Sequence, residues 1–373
     1  MAGERARMTL AGEQAFCATY EEARRKFIEA AQAAGLKVQS KIHPLRGAQG
    51  EELAMDVVRD GHPNAASVLL LSSACHGVEG FCGSGVQVAA LRDTSWRARA
   101  RERSIAVVYV HALNPWGFSQ FGRTTHENID LNRNFHDFSR PLPVNAGYRQ
   151  MHPLLVPNEW PPSPESQAAF LRFIDEVGLA AAQAAVSGGQ HEFEDGLFYG
   201  GRAPSWSNKA IREVLREQAG RATRLAWIDI HTGLGPEGVG ERIYAGRNDP
   251  VAIARARAWW DGGGSTPLTS IYDGTSTSAF LTGLMSHAAY EECPRAEFTA
   301  MALEYGTVPI MDTIEALRTE QWLRRHPEID SARAAELKRR IRDAFFIDTP
   351  QWKQKVLVQA RQAMRQAVDG LAA

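Results

Sequence analysis

Cysteine is scarce: Cys17, Cys75, Cys82 and Cys293 are four among 373 residues, and no two of them form a C-x-x-C pair. That excludes a disulfide scaffold and a cysteine-rich zinc module, and leaves reduced, partly buried thiols as the simplest state. An excess of charge of either sign is also missing. Lys plus Arg number 42 and Asp plus Glu 43, for a net charge of −1, so no overall field exists to hold nucleic acid or an anionic membrane. No apolar run approaches the ~20 residues that cross a bilayer, the longest gathering around Val68 to Leu71. Met1-Ala-Gly-Glu-Arg-Ala-Arg leads into no hydrophobic signal region, so the expected location is the cytoplasm, with neither nucleic acid nor membrane as a partner. No fixed-period repeat and no Gly-, Ser- or Pro-rich linker divides the chain, which points to one domain over residues 1–373.

What is present is enough apolar surface for a sizeable core, with 44% of residues hydrophobic and 23% charged. Short continuous apolar runs recur at 67–73, 105–111, 225–231 and 300–305, the pattern of strands buried on both faces. Between them lie stretches rich in helix formers, at about 80–91, 164–185, 207–219 and 249–260. Strands alternating with helices predict an α/β fold, a mixed, mainly parallel central sheet with helices on both faces. Around that sheet we expect an N-terminal helix over about 12–35, an insertion over about 136–222 and a helical tail over about 312–373.

The chemistry-bearing residues gather where the predicted strands end, the place where open α/β sheets collect ligands. His76-Gly-Val-Glu79 follows the first apolar run. A second H-x-x-E, His191 with Glu194, lies among glycines and acidic residues with no strand before it and reads as a loop histidine. A metal held by His76 and Glu79 needs a third ligand, because catalytic zinc takes three protein side chains and leaves a position for water. His231 supplies one at the end of Trp227-Ile-Asp-Ile-His, and two histidines with a glutamate suit zinc. The segment Gly122-Arg-Thr-Thr-His-Glu-Asn-Ile-Asp-Leu-Asn-Arg-Asn is rich in arginine and amides, either a loop of surface ion pairs or a partner for a carboxylate or oxyanion. Glu304 closes the last apolar run, where a carboxylate is costly to bury unless it is paired or functional. Beside a metal it is a natural general base.

Taken in order, His76-x-x-Glu79, Arg123, Asp130-Leu-Asn132-Arg133-Asn134-Phe, Asp229-Ile-His231 and Glu304 resemble the zinc carboxypeptidase superfamily, which includes the aspartoacylase and succinylglutamate desuccinylase branch. The fuller wording of the motifs is similar to an uncharacterised bacterial branch known as a domain of unknown function. The resemblance implies one Zn²⁺ per chain on His76, Glu79 and His231, with Glu304 as general base and Arg123 stabilising the oxyanion. It further implies that Asn132 and Arg133 bind a substrate carboxylate, and that Asp130 accepts a hydrogen bond from His76 behind the metal. An active-site tyrosine of that superfamily has two candidates here, Tyr272 and Tyr290. The insertion, with Tyr199 and Trp206, either walls the substrate pocket or covers the sheet.

The function implied is that of a zinc metallohydrolase, a carboxypeptidase-like metallopeptidase acting on a small peptide. An N-acyl amino acid deacylase using the same site is the alternative. Deacylases of this group append a β-rich unit after the catalytic glutamate, whereas the residues after Thr307 read as helical, which favours the peptidase. Two further readings are a non-catalytic metal-binding protein and a serine hydrolase on Ser84, the latter lacking a G-x-S-x-G elbow. Side-chain preference and oligomeric state are not written in the sequence.

Overall fold

The computed structural model describes residues 13–244, 246–264 and 266–373. Met1 to Arg7 and residue 12, the first of the expected N-terminal helix, lie outside them. In chain order, α1 (Tyr20–Ala33) is followed by β1 (Val38–Arg46), β2 (Glu52–Asp60) and β3 (Ser67–Ser72), then α2 (Gly80–Arg92), α3 (Thr94–Glu102) and β4 (Ile105–His111). The short α4 (Pro115–Gln120) precedes the Arg123 segment, and α5 (Ala146–Leu155), α6 (Pro164–Val177) and α7 (Leu179–Ser187) follow it. Next come α8 (Trp206–Ala219), β5 (Arg224–Glu237), β6 (Gly240–Tyr244), α9 (Pro250–Trp260), β7 (Leu268–Ser270), α10 (Ala288–Glu292) and β8 (Glu297–Gly306). Three helices complete the described chain: α11 (Ile310–Arg325), α12 (Ser331–Phe345) and α13 (Pro350–Ala372).

The strands form one eight-stranded sheet in the order β1-β2-β4-β3-β5-β8-β6-β7. Its centre, β4-β3-β5-β8, is parallel, while β1, β2 and β6 join antiparallel to their inner neighbours. This is the mixed, mainly parallel α/β sheet expected. The central strands read as continuous apolar runs because both faces are covered. Leu69, Leu71, Val107 and Ile228 pack with helices α1, α2 and α13 on one side. On the other, Val68, Leu70, Val108 and Trp227 pack with α8 and α10.

The helix expected over 164–185 is two helices. Gly178 takes φ +83 at their junction, a conformation open to glycine and strained for other residues. Ser205, the N-cap of α8, accepts from Asn208 N, and so starts the helix that covers the α10 side of the sheet. β1 escapes sequence detection because it is a mostly exposed edge strand without apolar alternation, and β7 because it is three residues long.

Candidate active site

The sheet changes winding direction at β3, which pairs with β4 on one side and β5 on the other. A crevice opens there beyond the carboxyl ends of the strands. His76 follows β3 and caps a single 3-10 turn, Gly77–Glu79, that leads into α2. A Cβ on Gly77 would lie 2.2 Å from the carbonyl carbon of Gly117, so only glycine lets the two backbones meet. The turn is stitched to the arginine segment, Gly77 N donating to Arg123 O at 3.0 Å and Val78 N to Gly122 O at 2.8 Å. His231 lies within β5, directly opposite Glu304 of β8 in the parallel register.

Four of the residues singled out from the sequence converge in this crevice. His76 Nδ1 is 2.8 Å from Glu79 Oε1, and His231 Nδ1 is 3.0 Å from Glu79 Oε2. One ligand atom from each of the three lies within 4.8 Å of the others. Behind them, His76 Nε2 is 3.2 Å from Asp130 Oδ1 and His231 Nε2 is 2.5 Å from Asp229 Oδ2. Each imidazole thus turns Nδ1 to the shared centre and Nε2 to a carboxylate, the arrangement that leaves Nδ1 its lone pair and orients the ring. Asp229 is itself held: its Oδ1 accepts from Ser72 Oγ at 2.5 Å, and Ser72 Oγ accepts from Trp227 Nε1 at 2.7 Å.

This donor set, two imidazole nitrogens and a carboxylate with carboxylates behind both rings, fits a zinc ion. Cys75, Asp229 and His231 also lie within 4.8 Å of one another. That group fits poorly, because both Asp229 oxygens are already engaged, Oδ1 by Ser72 Oγ and Oδ2 by His231 Nε2.

Electrostatics separate the two glutamates. Burial pushes Glu79 up, but the attraction of His76 and the hydrogen bonds from both histidines outweigh it and hold its carboxyl well below the usual range. For Glu304, burial and then the negative charge of Glu79 push the carboxyl up to about 8, and a cation on the three ligands would oppose both effects. Its Oε1 accepts from Leu234 N at 3.1 Å, which fixes the head of the side chain. His231 is lowered by burial but raised further by Asp229 and Glu79, ending well above its usual value.

The arginine segment joins the same cluster. Arg123 donates through Nε to Asp130 Oδ2 and through Nη1 to Glu79 Oε1, both at 3.1 Å, and its Nη2 is 2.8 Å from His76 Nε2. A proton on His76 Nε2, needed when Nδ1 is a ligand, cannot share that contact with the Nη2 donor, so ligation frees Nη2. Arg133 donates Nε and Nη2 to Ser187 O and Nη1 to Asn132 O. Those three bonds use three of an arginine's five N–H donors, and Nη1 also lies 3.7 Å from Asp130 Oδ1. Asn132 Oδ1 accepts from Met285 N at 3.1 Å.

Several expectations resolve here. The insertion does both things asked of it. Met151, Phe170 and Val186 of α5, α6 and α7, with Phe198, line a cavity of about 390 Å³, whereas Trp206 packs edge-on to His43 and covers the sheet. Tyr199 gives its carbonyl to Asp130 N rather than lining the cavity. Neither Tyr272 nor Tyr290 lines it: Tyr272 Oη donates to Gly246 O, and Tyr290 Oη accepts from Arg247 N. His191 Nδ1 donates to Gly201 O, as befits a loop histidine. Ser84 is buried against His111 Nε2 and away from the cavity, and among the described residues no hydrogen-bond partner orients His111 Nδ1. All four cysteines are free and buried. Sequence reasoning quoted Asp229 in its motif without giving it a role, and missed Ser72 and Glu320. The spacing Asp229-x-His231 was a signal for the first, since residues two apart on a strand face the same side.

A family profile described as "Protein of unknown function (DUF2817)" matches residues 16–359. No curated protein matches the chain. Among solved structures, bovine thrombin-activatable fibrinolysis inhibitor in complex with tick carboxypeptidase inhibitor is similar over 97% of this chain and 98% of its own, at 11% identity and a TM-score of 0.50. A metallo-carboxypeptidase from Burkholderia cenocepacia covers 94% of this chain and 69% of its own, at 10% identity and a TM-score of 0.45. The first likeness shows a shared fold, the carboxypeptidase-like α/β fold expected from the motif order. Among the described residues no helix is long and apolar enough to cross a membrane.

Proposed function

This chain belongs to the DUF2817 family, whose function is unknown, and we propose from the chemistry of its site that it is a zinc-dependent hydrolase of an amide bond in a small carboxylate-bearing substrate, carboxypeptidase-like in mechanism. The observation that carries the proposal is the meeting of His76, Glu79 and His231, one ligand atom from each within 4.8 Å of the others and both histidines turning Nδ1 to Glu79, with Glu304 opposite His231 on the neighbouring strand. His76, Glu79 and His231 would hold the zinc ion, which when bound would supply Lewis-acid polarisation of the scissile carbonyl and a water of lowered pKa. Glu304 takes the proton of the attacking water on its carboxylate and returns it to the leaving amine nitrogen. Arg123, once Nη2 leaves His76, donates to the carbonyl oxygen as negative charge develops there. Asn132 and Arg133 hold the substrate's free carboxylate and so fix which amide faces Glu304. Asp130 and Asp229 keep the two imidazoles in the ligating tautomer. An N-acyl amino acid has the same amide and carboxylate, so deacylation is the alternative activity of this site.

The test is hydrolysis of a panel of N-acyl dipeptides and N-acyl amino acids by wild type and Glu304→Gln. Wild-type turnover that falls by roughly 10²- to 10⁴-fold in the variant, with bound zinc retained, supports the base role. Equal turnover in the two proteins removes it.

A further inference from the structure

Among the described residues, every charged side chain lining the cavity belongs to the cluster around His76, Glu79 and His231. Away from that cluster the lining is apolar on both sides. One wall is built by the insertion and α11, with Phe170, Ile174, Val186, Ile314 and Leu317. The other is built by Ile243, Ile271 and Leu284, a buried apolar group against which Leu281 and Ala302 pack. Ala302 precedes Glu304 by two residues on β8, so its side chain shares the face of the strand that carries the carboxylate. Leu179, more than half exposed, continues the apolar lining out to solvent.

Apart from Ser286 and the second N–H of Gln183, the polar side chains on these walls donate their hydrogens within the protein. Ser187 Oγ donates to Gln183 O, and Thr313 Oγ1 donates to Gly233 O. Ser278 Oγ donates to Ala279 O, and Thr277 Oγ1 to Glu241. Gln183 Nε2 donates to Thr277 O at 2.8 Å, which ties α7 to the opposite wall. A charged group entering this space would give up its hydration without a partner of opposite sign, and a polar one would meet few directed donors. An apolar group would lose only unfavourable contact with water.

We infer that the substrate group received by this cavity is large, uncharged and apolar, a phenylalkyl or branched alkyl side chain, so that the site takes carboxylate-bearing amides of apolar residues and refuses those with cationic or anionic side chains. The inference rests on the reading of the site as an amide hydrolase, but it is tested first by binding, independently of turnover. Calorimetric titration of the zinc-loaded protein with 4-phenylbutanoate, 6-aminohexanoate and glutarate presents one carboxylate with three kinds of tail. Binding of 4-phenylbutanoate roughly 100-fold tighter than the other two is the expected result, from the cost of burying an unpaired charge. Ala302→Phe, which fills that wall, should weaken 4-phenylbutanoate at least ~10-fold with zinc content unchanged. Equal binding of the three, binding of none, or tighter binding of a charged tail overturns the inference. The paired rate measurement uses N-benzoylglycyl-phenylalanine, -arginine and -glutamate. Selective binding of 4-phenylbutanoate with no amide turnover refutes the hydrolase reading and leaves the pocket chemistry standing. Turnover that favours a charged residue does the reverse.

Discussion

His76 and His231 reach the same centre by different routes, one from the loop after β3 and the other from inside β5, yet both use Nδ1 inward and Nε2 to a carboxylate. That symmetry is a residue-scale property, since it depends on Asp130 and Asp229 each lying behind one ring. A third buried histidine behaves differently. His111 stacks on Phe27 and meets Ser84, and burial lowers it from 6.5 to about 4. It is therefore neutral in the folded state where the unfolded chain has begun to protonate. Between pH ~6.5 and ~4 the unfolded state binds the extra proton, so stability present above 6.5 is lost as pH falls, at about 1.4 kcal/mol per pH unit for one group. Urea unfolding of wild type and His111→Gln at stepped pH should show a shallower acid slope in the variant. Parallel slopes would mean that His111 is not the group responsible.

At the scale of elements, the pieces that hold the site come from all along the chain. Glu320 on α11 accepts from Arg123 N at 2.8 Å and from Thr124 N at 3.4 Å, so a helix some two hundred residues downstream fixes the loop bearing Arg123. Glu320→Ala removes that anchor without touching a proposed zinc ligand. It should lower kcat by up to ~100-fold while zinc content stays at the wild-type level, as expected for a displaced positioning group. Unchanged kcat with zinc retained would show that Arg123 needs no such support. The sequence could not reveal Glu320, because nothing in its local pattern records a partner that far away. The proposed zinc ligands were legible for the opposite reason: His76 and Glu79 follow an apolar strand and His231 lies inside one, where the sequence placed a strand end, and such positions converge at one edge of a parallel sheet whatever their separation in sequence. The break at Gly178 was missed because the helix formers on either side run through it.

At the scale of the whole molecule, the alternation of apolar runs and helices was sufficient for the central parallel strands, which are buried on both faces and so carry the strongest signal. The edges were not legible. β1 is mostly exposed, and β6 and β7 take their places from pairing with strands already present. The character of the cavity was hidden as well, because its walls are assembled from the insertion, α11 and the loop before β8, which only the folded chain brings together. The three-residue site at the turning point of the sheet is tested most directly by metal content, measured by mass spectrometry on untagged wild type beside His231→Ala. About one zinc per wild-type chain, lost in the variant, is the predicted result. No bound metal in the wild type, even after zinc is added back, would contradict it.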